Sequence, residues 1–482
     1  MTGLPLNPIG ALLLTSLIGA TVLALVRDYR WSARLNILAS GIVLVWALLL
    51  FRSRPATDDF FLADDLNVVF IALNALVGFT TSIFSASYIG HELDTGRLSP
   101  GHLRFYHVTF QLMMFGMDLA LTANNIGLIW VAVELATLTT VMMVGIYRTP
   151  EALEAAWKYF ILGSVGIALA LFGTILVYLA AVSVIGEGLG SMAWTTLLNH
   201  GEALDPRLLN VAFVFLLLGY GTKVGLVPMH AWLPDAHAEG PTPVSAVLSG
   251  LLLNVALYAL LRFKMIMAAN PETIPVGPLM VILGLGSLVF ASFMLYRRRD
   301  IKRLFAFSSI EHMGIITFAF GMGGPLANLA GLLQMTMHSL TKSAIFFSVG
   351  HVAQVKGTQK LAEIRGLTTS HPVLGWTLVA GVIAIAGLPP FGVFMSEFLV
   401  LTSAFARAPA LAVIAAFGLL VAFGALLWRL GEMAFGEPTG ASTPVRASYM
   451  PIFAHLALVL MGGLAMPGTM LVWFQNVAVL LK

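Results

Sequence analysis

The stretch Leu218-Gly-Tyr-Gly-Thr-Lys-Val-Gly-Leu-Val-Pro-Met-His-Ala-Trp-Leu-Pro-Asp-Ala-His-Ala-Glu-Gly-Pro-Thr-Pro243 puts one lysine, Lys223, near the end of an apolar run that then meets Pro228. A charged side chain inside a hydrocarbon span costs several kcal/mol, so its presence asks for a reason. Pro228 cannot donate to a helix ladder, and the carbonyls it frees need water or polar partners. Together these features predict a hydrated interior that handles ions. The plainer alternative is that Lys223 snorkels to one face or pairs with a buried acid.

Working outward, the whole chain shares this apolar character. Its 482 residues are 59% hydrophobic and 10% charged, with a mean hydropathy of +0.91, which excludes an ordinary soluble domain and predicts an all-α polytopic membrane protein. There is no Cys, hence no thiolate ligand for an Fe–S cluster, no disulfide and no CxxCH haem attachment. Any electron-transfer chemistry belongs to partner subunits. A formal charge of +3 says nothing in favour of nucleic acid as a partner. The first apolar run lacks a basic segment before it and reads as a retained span, not a cleaved signal.

Apolar runs near the length that crosses a bilayer, about 20 residues, occur at 6–26, 35–51, 66–88, 104–122, 125–147, 156–183, 209–228, 243–263, 276–296, 303–322, 326–354, 372–402, 409–434 and 450–478. The expectation is therefore about fourteen transmembrane helices. With that count, about 17 Lys and Arg fall in loops on one side and about 7 on the other, with Lys223 and Lys342 inside spans. The excess of positive charge on the cytoplasmic side places both termini in the periplasm of a bacterial inner membrane. Residues 184–208 form the longest connection on the outer side and suggest a structural or interfacial role.

Pro and Gly interrupt two spans, the seventh at Pro228 and the twelfth at Gly387-Leu-Pro-Pro-Phe-Gly392. They lie five helices apart, the offset of two inverted five-helix repeats, since an odd number of helices flips the second copy. This predicts residues 1–103 as an N-terminal group of helices one to three and 104–263 as a first repeat. Residues 276–436 are then the second repeat, and 437–482 a C-terminal helix. Prolines that merely kink long helices are the plainer reading of either break alone.

The ionisable residues inside these runs are the candidate machinery. Glu134, mid-span in Leu128-Ile-Trp-Val-Ala-Val-Glu-Leu-Ala-Thr-Leu, needs a proton or a cation, and Lys223 is the natural partner. Lysine suits the role because desolvation lets it both hold and release a proton, as arginine does not. In the eleventh span Gln334, His338 and Lys342 recur every four residues on one helical face. That spacing lets His338 hand a proton to Lys342 directly or through a water, whereas Gln334 reads as a helix-to-helix hydrogen bond. Glu397 lies beside the second break as Lys223 lies beside the first, with helix capping as the alternative. His230 and His237 flank the turn after the seventh span as candidate proton intake groups, although Trp232, Pro234 and Pro243 suggest a rigid turn. Asp118, Glu311, His312 and His351 are weaker signals, and Asp118 has no partner legible in the sequence. No Walker A, GxSxG, HExxH or EF-hand pattern occurs, which argues against ATP-driven transport or hydrolysis by this chain. The eleven histidines do not group into a metal site.

Glu134 in its apolar helix, the Lys223 run leading into Pro228-Met-His-Ala-Trp-Leu-Pro-Asp-Ala-His, and the broken segment with Glu397 together resemble the antiporter-like, proton-translocating subunits of respiratory complex I and its relatives. The resemblance covers residues 66 to 435. Within that superfamily, Ser308-Ser-Ile-Glu311 followed by His312-Met-Gly, together with the short C-terminus, resembles component F of hydrogenase-4, from the formate hydrogenlyase-type group 4 [NiFe] hydrogenases. No long lateral amphipathic helix follows the fourteenth span, which by the resemblance implies an inner position in an assembly.

The resemblance implies that Glu134 tunes Lys223 and that Lys223 carries the proton in a first half-channel. Lys342 with His338 serves a second, and Glu397 stands near the exit. Relatives carry a lysine or histidine in the eighth span where this chain has Asn254, so the link between half-channels is water-mediated or absent. It further implies no cofactor in this chain, Ni–Fe and Fe–S centres in partner subunits, and protons as cargo with Na+ as the alternative. The expected role is a non-catalytic, ion-translocating subunit of an oxidoreductase complex. Rival readings are a subunit of a multi-subunit cation/proton antiporter, the membrane half of an energy-coupled inorganic-carbon uptake system, and a structural anchor for a hydrogenase.

Overall fold

The computed structural model describes residues 7–440, 443–444 and 448–481. Helices follow one another as α1 (Pro8–Leu25), α2 (Tyr29–Leu49), α3 (Asp65–Asp94), α4 (Pro100–Thr122), α5 (Ile126–Val144), α6 (Pro150–Ile185), α7 (Trp194–Asn199), α8 (Pro206–Val224), α9 (Trp232–Glu239) and α10 (Thr242–Val247). They continue as α11 (Leu253–Ala268), α12 (Gly277–Tyr296), α13 (Ile301–Met322), α14 (Pro325–Lys356), α15 (Leu367–Ser370), α16 (Pro372–Ile385), α17 (Gly392–Arg407), α18 (Pro409–Ala434), α19 (Met450–Leu464) and α20 (Gly468–Leu480). Only isolated bridges, such as Asn125 with Ala193, interrupt the helical pattern among the described residues.

Among the described residues, ten helices are long and apolar enough to cross a membrane, or eleven if the bent pair α19 and α20 is one crossing. The expected fourteen is therefore not reached on these grounds, for identifiable reasons. α4 and α14 have the length but dilute their hydropathy with His107, Gln111 and Asp118, and with Gln334, His338 and Lys342. The twelfth run is two short helices, α16 and α17. The fourteenth, expected as one helix, bends by 78° between α19 and α20, where Pro467 biases the residue before it away from helical backbone.

The first break also differs from expectation in its cause. α8 stops at Val224, and Gly225 takes a left-handed φ of 82°, so the helix has ended before Pro228 is reached. The second break repeats the pattern: α16 stops at Ile385, Gly387 has φ 68°, and α17 begins at Gly392. Glycine enters this region at no steric cost, so in both places it ends the helix while proline holds the turn. The eighth run is α10 and α11 joined by a π-helical turn, Leu248–Leu252.

The chain forms two units. The first comprises residues 1–82, 92–224 and 252–276. Its tightest seam is α6 against α8, where Gly163, Gly166, Ala170 and Gly173 form a row of small residues. A Cβ on Gly219 of α8 would meet the Ala170 nitrogen at 2.5 Å and the Gly166 oxygen at 2.6 Å. At Gly219 the two backbones pack directly, and Thr222 and Leu216 of α8 fill the space over Gly166 and Gly173. The long connection at 184–208 is pinned to this unit: Trp194 donates its indole N–H to the Arg262 carbonyl at 2.8 Å. Arg262 donates to both oxygens of Asp64 at 2.6 and 2.9 Å and to the Tyr258 hydroxyl at 2.8 Å, with Trp194 stacked 4.3 Å away.

The second unit comprises residues 83–91, 225–251 and 277–482, and α14 is its axis, buried along most of its length against α10, α13, α16, α17 and α19. Arg262, Lys264, Lys302 and Lys356, counted among the loop charges in the sequence reading, are buried within the protein. Arg446 and Lys482 of that sum lie outside the described residues.

Candidate functional site

Each unit gathers its own cluster of ionisable side chains. In the first, Glu134 and Thr137 lie one turn apart on α5 and face the last turn of α8. There the Lys223 Nζ donates to Glu134 Oε2 at 3.1 Å and to Thr137 Oγ1 at 3.0 Å. The expected pair is present, with Lys223 2% and Glu134 17% exposed. The carbonyl end of α8 favours a cation at this position. Gly163 completes the pocket, because a Cβ there would come within 3.1 Å of the ammonium. Asp118, unplaced from sequence, accepts from the Asn74 amide at 2.6 Å, also in the first unit. Asn254 stands in the first turn of α11, buried.

In the second unit the Lys342 Nζ donates to the Phe305 carbonyl at 3.1 Å. No direct hydrogen bond joins it to His338 among the described residues, so a hand-over along the stripe would pass through a water. His338 instead turns its ring toward His312, 5.5 Å between centroids, and neither of its nitrogens has a hydrogen bond. His312 is the hub. Its Nε2 lies 3.1 Å from the Ile385 carbonyl and 3.3 Å from Glu311 Oε2. Its Nδ1 lies 2.9 Å from the Gln334 amide nitrogen and 3.7 Å from Glu397 Oε1. Ser396 donates to the Gln334 oxygen.

Glu397 sits in the second turn of α17, whose N-terminus has no side-chain cap. The capping alternative is thereby set aside: the carboxylate packs on Gly387 at the break, where a Cβ would come within 2.1 Å of it. Glu311 and Glu397 both line a cleft of about 270 Å³ between α16, α17 and α18, walled by Phe394, Phe398 and Leu420.

Glu311, His312 and Glu397 bring ligating atoms within 4.8 Å of one another. Opposite ring nitrogens face the two carboxylates, however, and one metal ion takes only one nitrogen of an imidazole. The arrangement is a carboxyl–imidazole–carboxyl chain.

The two candidate intake histidines differ. His230 packs edge-on against Phe290 at 5.0 Å, half-buried. His237 is fully buried and stacked on Phe346 at 4.7 Å, with no hydrogen bond at either nitrogen. Glu311 and His312, weak in the sequence, are central in the structure. The signal that marked them was a carboxylate and an imidazole adjacent on an apolar helix, and nothing local said they would meet α17. Thr137 and Ser396 gave no signal at all.

These features define an antiporter-like membrane subunit: a long buried helix, two glycine-ended breaks and a buried lysine on a carboxylate. The transmembrane family of NADH:quinone oxidoreductase and Mrp antiporters matches residues 123–424, and the chain belongs to that family. It is 61% identical over 472 residues to a hydrogenase-4 component F homolog of Methylacidiphilum infernorum, covering 98% of this chain and 99% of that one. It is 28% identical to NADH-quinone oxidoreductase subunit M of Pseudomonas aeruginosa, covering 83% and 77%. Among solved structures, a chain of an archaeal membrane-bound sulfane sulfur reductase superposes with a TM-score of 0.87 at 21% identity, covering 99% and 98%. A chain of respiratory complex I from Thermus thermophilus superposes with 0.82 at 22% identity, covering 98% and 100%.

Proposed function

We propose that this chain is the proton-translocating membrane subunit of a redox-driven assembly of the hydrogenase-4 type, with no redox centre of its own and with Ni–Fe and Fe–S centres in its partners. The observation that carries the reading is the Lys223–Glu134 contact, a buried ion pair in helices that are otherwise apolar. A charge or conformational change in a neighbouring subunit that weakens this pair releases the lysine's proton, and restoring the pair recaptures it. In the second unit Lys342, His338, His312 and Glu397 form the corresponding set, and His230 and His237 supply protons to it. The sequence arrangement of two inverted repeats, with both termini in the periplasm, belongs to this proposal and rests on the five-helix offset and the positive loop charges.

The test is proton uptake by inside-out vesicles that hold the assembled complex. Lys223→Met is expected to abolish uptake attributable to this subunit while the complex still assembles; uptake unchanged at full partner turnover would sink the reading. A free-standing cation/proton antiporter is the second reading, favoured by the family the chain matches, which includes Mrp antiporters.

A further inference from the structure

The second unit contains a polar side chain that the proton-transfer reading does not use. Gln334 is fully buried, yet each end of its amide is engaged: the oxygen accepts from Ser396, and the nitrogen lies 2.9 Å from His312 Nδ1. An amide nitrogen only donates, so in this arrangement Nδ1 must accept. The other ring nitrogen faces the Ile385 carbonyl at 3.1 Å, which only accepts, so Nε2 carries the hydrogen. The partners thus specify one form of His312, the neutral ring protonated at Nε2.

A second arrangement satisfies the same atoms. The Ser396 hydroxyl also lies 3.0 Å from the Val393 carbonyl and 3.2 Å from the Gly392 carbonyl of its own helix. If it donates there, its oxygen is free to accept from the Gln334 nitrogen. The amide is then rotated by half a turn, and its oxygen faces His312 Nδ1. That orientation needs a hydrogen on Nδ1, and with Nε2–H still on Ile385 the ring is an imidazolium. The hydrogen bonds among Ser396, Gln334 and His312 are satisfied in both states, Glu397 exchanges the Gln334 N–H for the Nδ1–H, and passing between the states takes one proton, one amide rotation and one hydroxyl rotation.

We infer that Gln334 is a positioning residue whose amide orientation selects the protonation state of His312, so that Ser396, Gln334 and His312 form a two-position proton switch between the α14 face and Glu397. The inference rests on the proton-transfer reading for its role in turnover. The titratable groups facing His312 are Glu311 on its own helix, His338 and Lys342 on α14, and Glu397 on α17. α12 and α16 contribute none, and Asp235 and Glu239 of α9 are taken by Arg303. In the neutral state the Gln334 amide nitrogen serves both Nδ1 and the Glu397 carboxylate, whose Oε1 lies 3.7 Å from the unprotonated Nδ1; in the charged state Nδ1–H is available to both Gln334 and Glu397. The amide therefore decides when the imidazole passes its proton on.

The test uses the assembled complex with nitrogen-15-labelled histidine, in which the His312 ring signals are followed against pH by solid-state nitrogen NMR and assigned by difference with His312→Asn. Proton uptake by vesicles is measured in parallel. In the unsubstituted complex His312 is expected to titrate from an Nε2–H neutral ring to an imidazolium. Gln334→Glu in its ionised form offers Nδ1 only an acceptor and is expected to move the pH midpoint of His312 up by about one unit or more, tenfold in proton affinity. Gln334→Met keeps the volume and is expected to let both neutral forms appear. A fall in uptake with the His312 midpoint and neutral form unchanged in both variants would overturn the inference and leave Gln334 as packing alone. Should the His312 signals respond as stated while the unsubstituted complex moves no protons, the switch stands and the translocation reading falls.

Discussion

At the residue scale, the two lysines show how the same side chain is held in opposite ways. Lys223 faces a carboxylate and a hydroxyl, whereas Lys342 faces a backbone carbonyl and the ring of Phe305. A third buried cation, Arg262, is built for permanence: its planar fork meets Asp64 with two parallel hydrogen bonds, and both Trp194 and Tyr258 stack on it. Breaking a buried pair leaves the remaining charge uncompensated, at 3–5 kcal/mol. Asp64 keeps a partly exposed edge, so Arg262→Leu is expected to cost about 2–3 kcal/mol, read as a lower melting temperature of the detergent-solubilised protein. The pH dependence has a defined sign. Burial pushes the Asp64 carboxyl up, but the Arg262 charge and hydrogen bonds outweigh it and hold the group below the usual carboxylate range. Its contribution to stability is present above the ordinary carboxylate value, about 3.9, and is lost as pH falls through the depressed one. The gap between the unsubstituted protein and Arg262→Leu should therefore narrow below about pH 4; a gap that stays constant there would deny the ion pair its role.

At the scale of elements, the two breaks are the decisive devices, and their glycines do separable work. Gly387→Ala forces a non-glycine residue into left-handed backbone, at about 1–2 kcal/mol, and also drives a methyl into the Glu397 carboxylate. Gly357→Ala, at the end of α14, has a similar φ of 67° and nothing within 4 Å of the added methyl. Both variants are expected to lose similar stability in thermal unfolding, while only Gly387→Ala loses most of its proton uptake. Equal uptake in the two would show that the contact with Glu397 does not matter. The positions of these breaks were legible in the sequence, since proline and glycine punctuate apolar runs wherever they fall. Their mechanism was not, because a proline is visible as a letter and a positive φ is not. Likewise the Glu134–Lys223 pair was foreseeable from charge balance among buried groups. The meeting of Glu311, His312, Gln334 and Ser396 was not, since it depends on how α13, α14 and α17 pack, and no single-helix periodicity encodes that. The bend between α19 and α20 was missed for a related reason: an apolar run carries no sign of direction.

At the scale of the molecule, the composition constrains where redox chemistry can reside. Its lack of cysteine leaves any Fe–S chemistry to others. Purifying the tagged chain in mild detergent with its native partners is expected to recover nickel together with abundant iron. Zinc with one large soluble partner would point instead to inorganic-carbon uptake, and no metal at all would favour the free-standing antiporter. The glycine seam between α6 and α8 sets a limit on how the first unit works. Two backbones in direct contact form a joint with no slack, since rotating α8 would drive Leu216 or Thr222 into α6. On the proposed function, the helix that carries Lys223 is thereby a fixed mast, and the moving part is its flexible four-carbon side chain. The stroke of this device is then set by the length of one lysine.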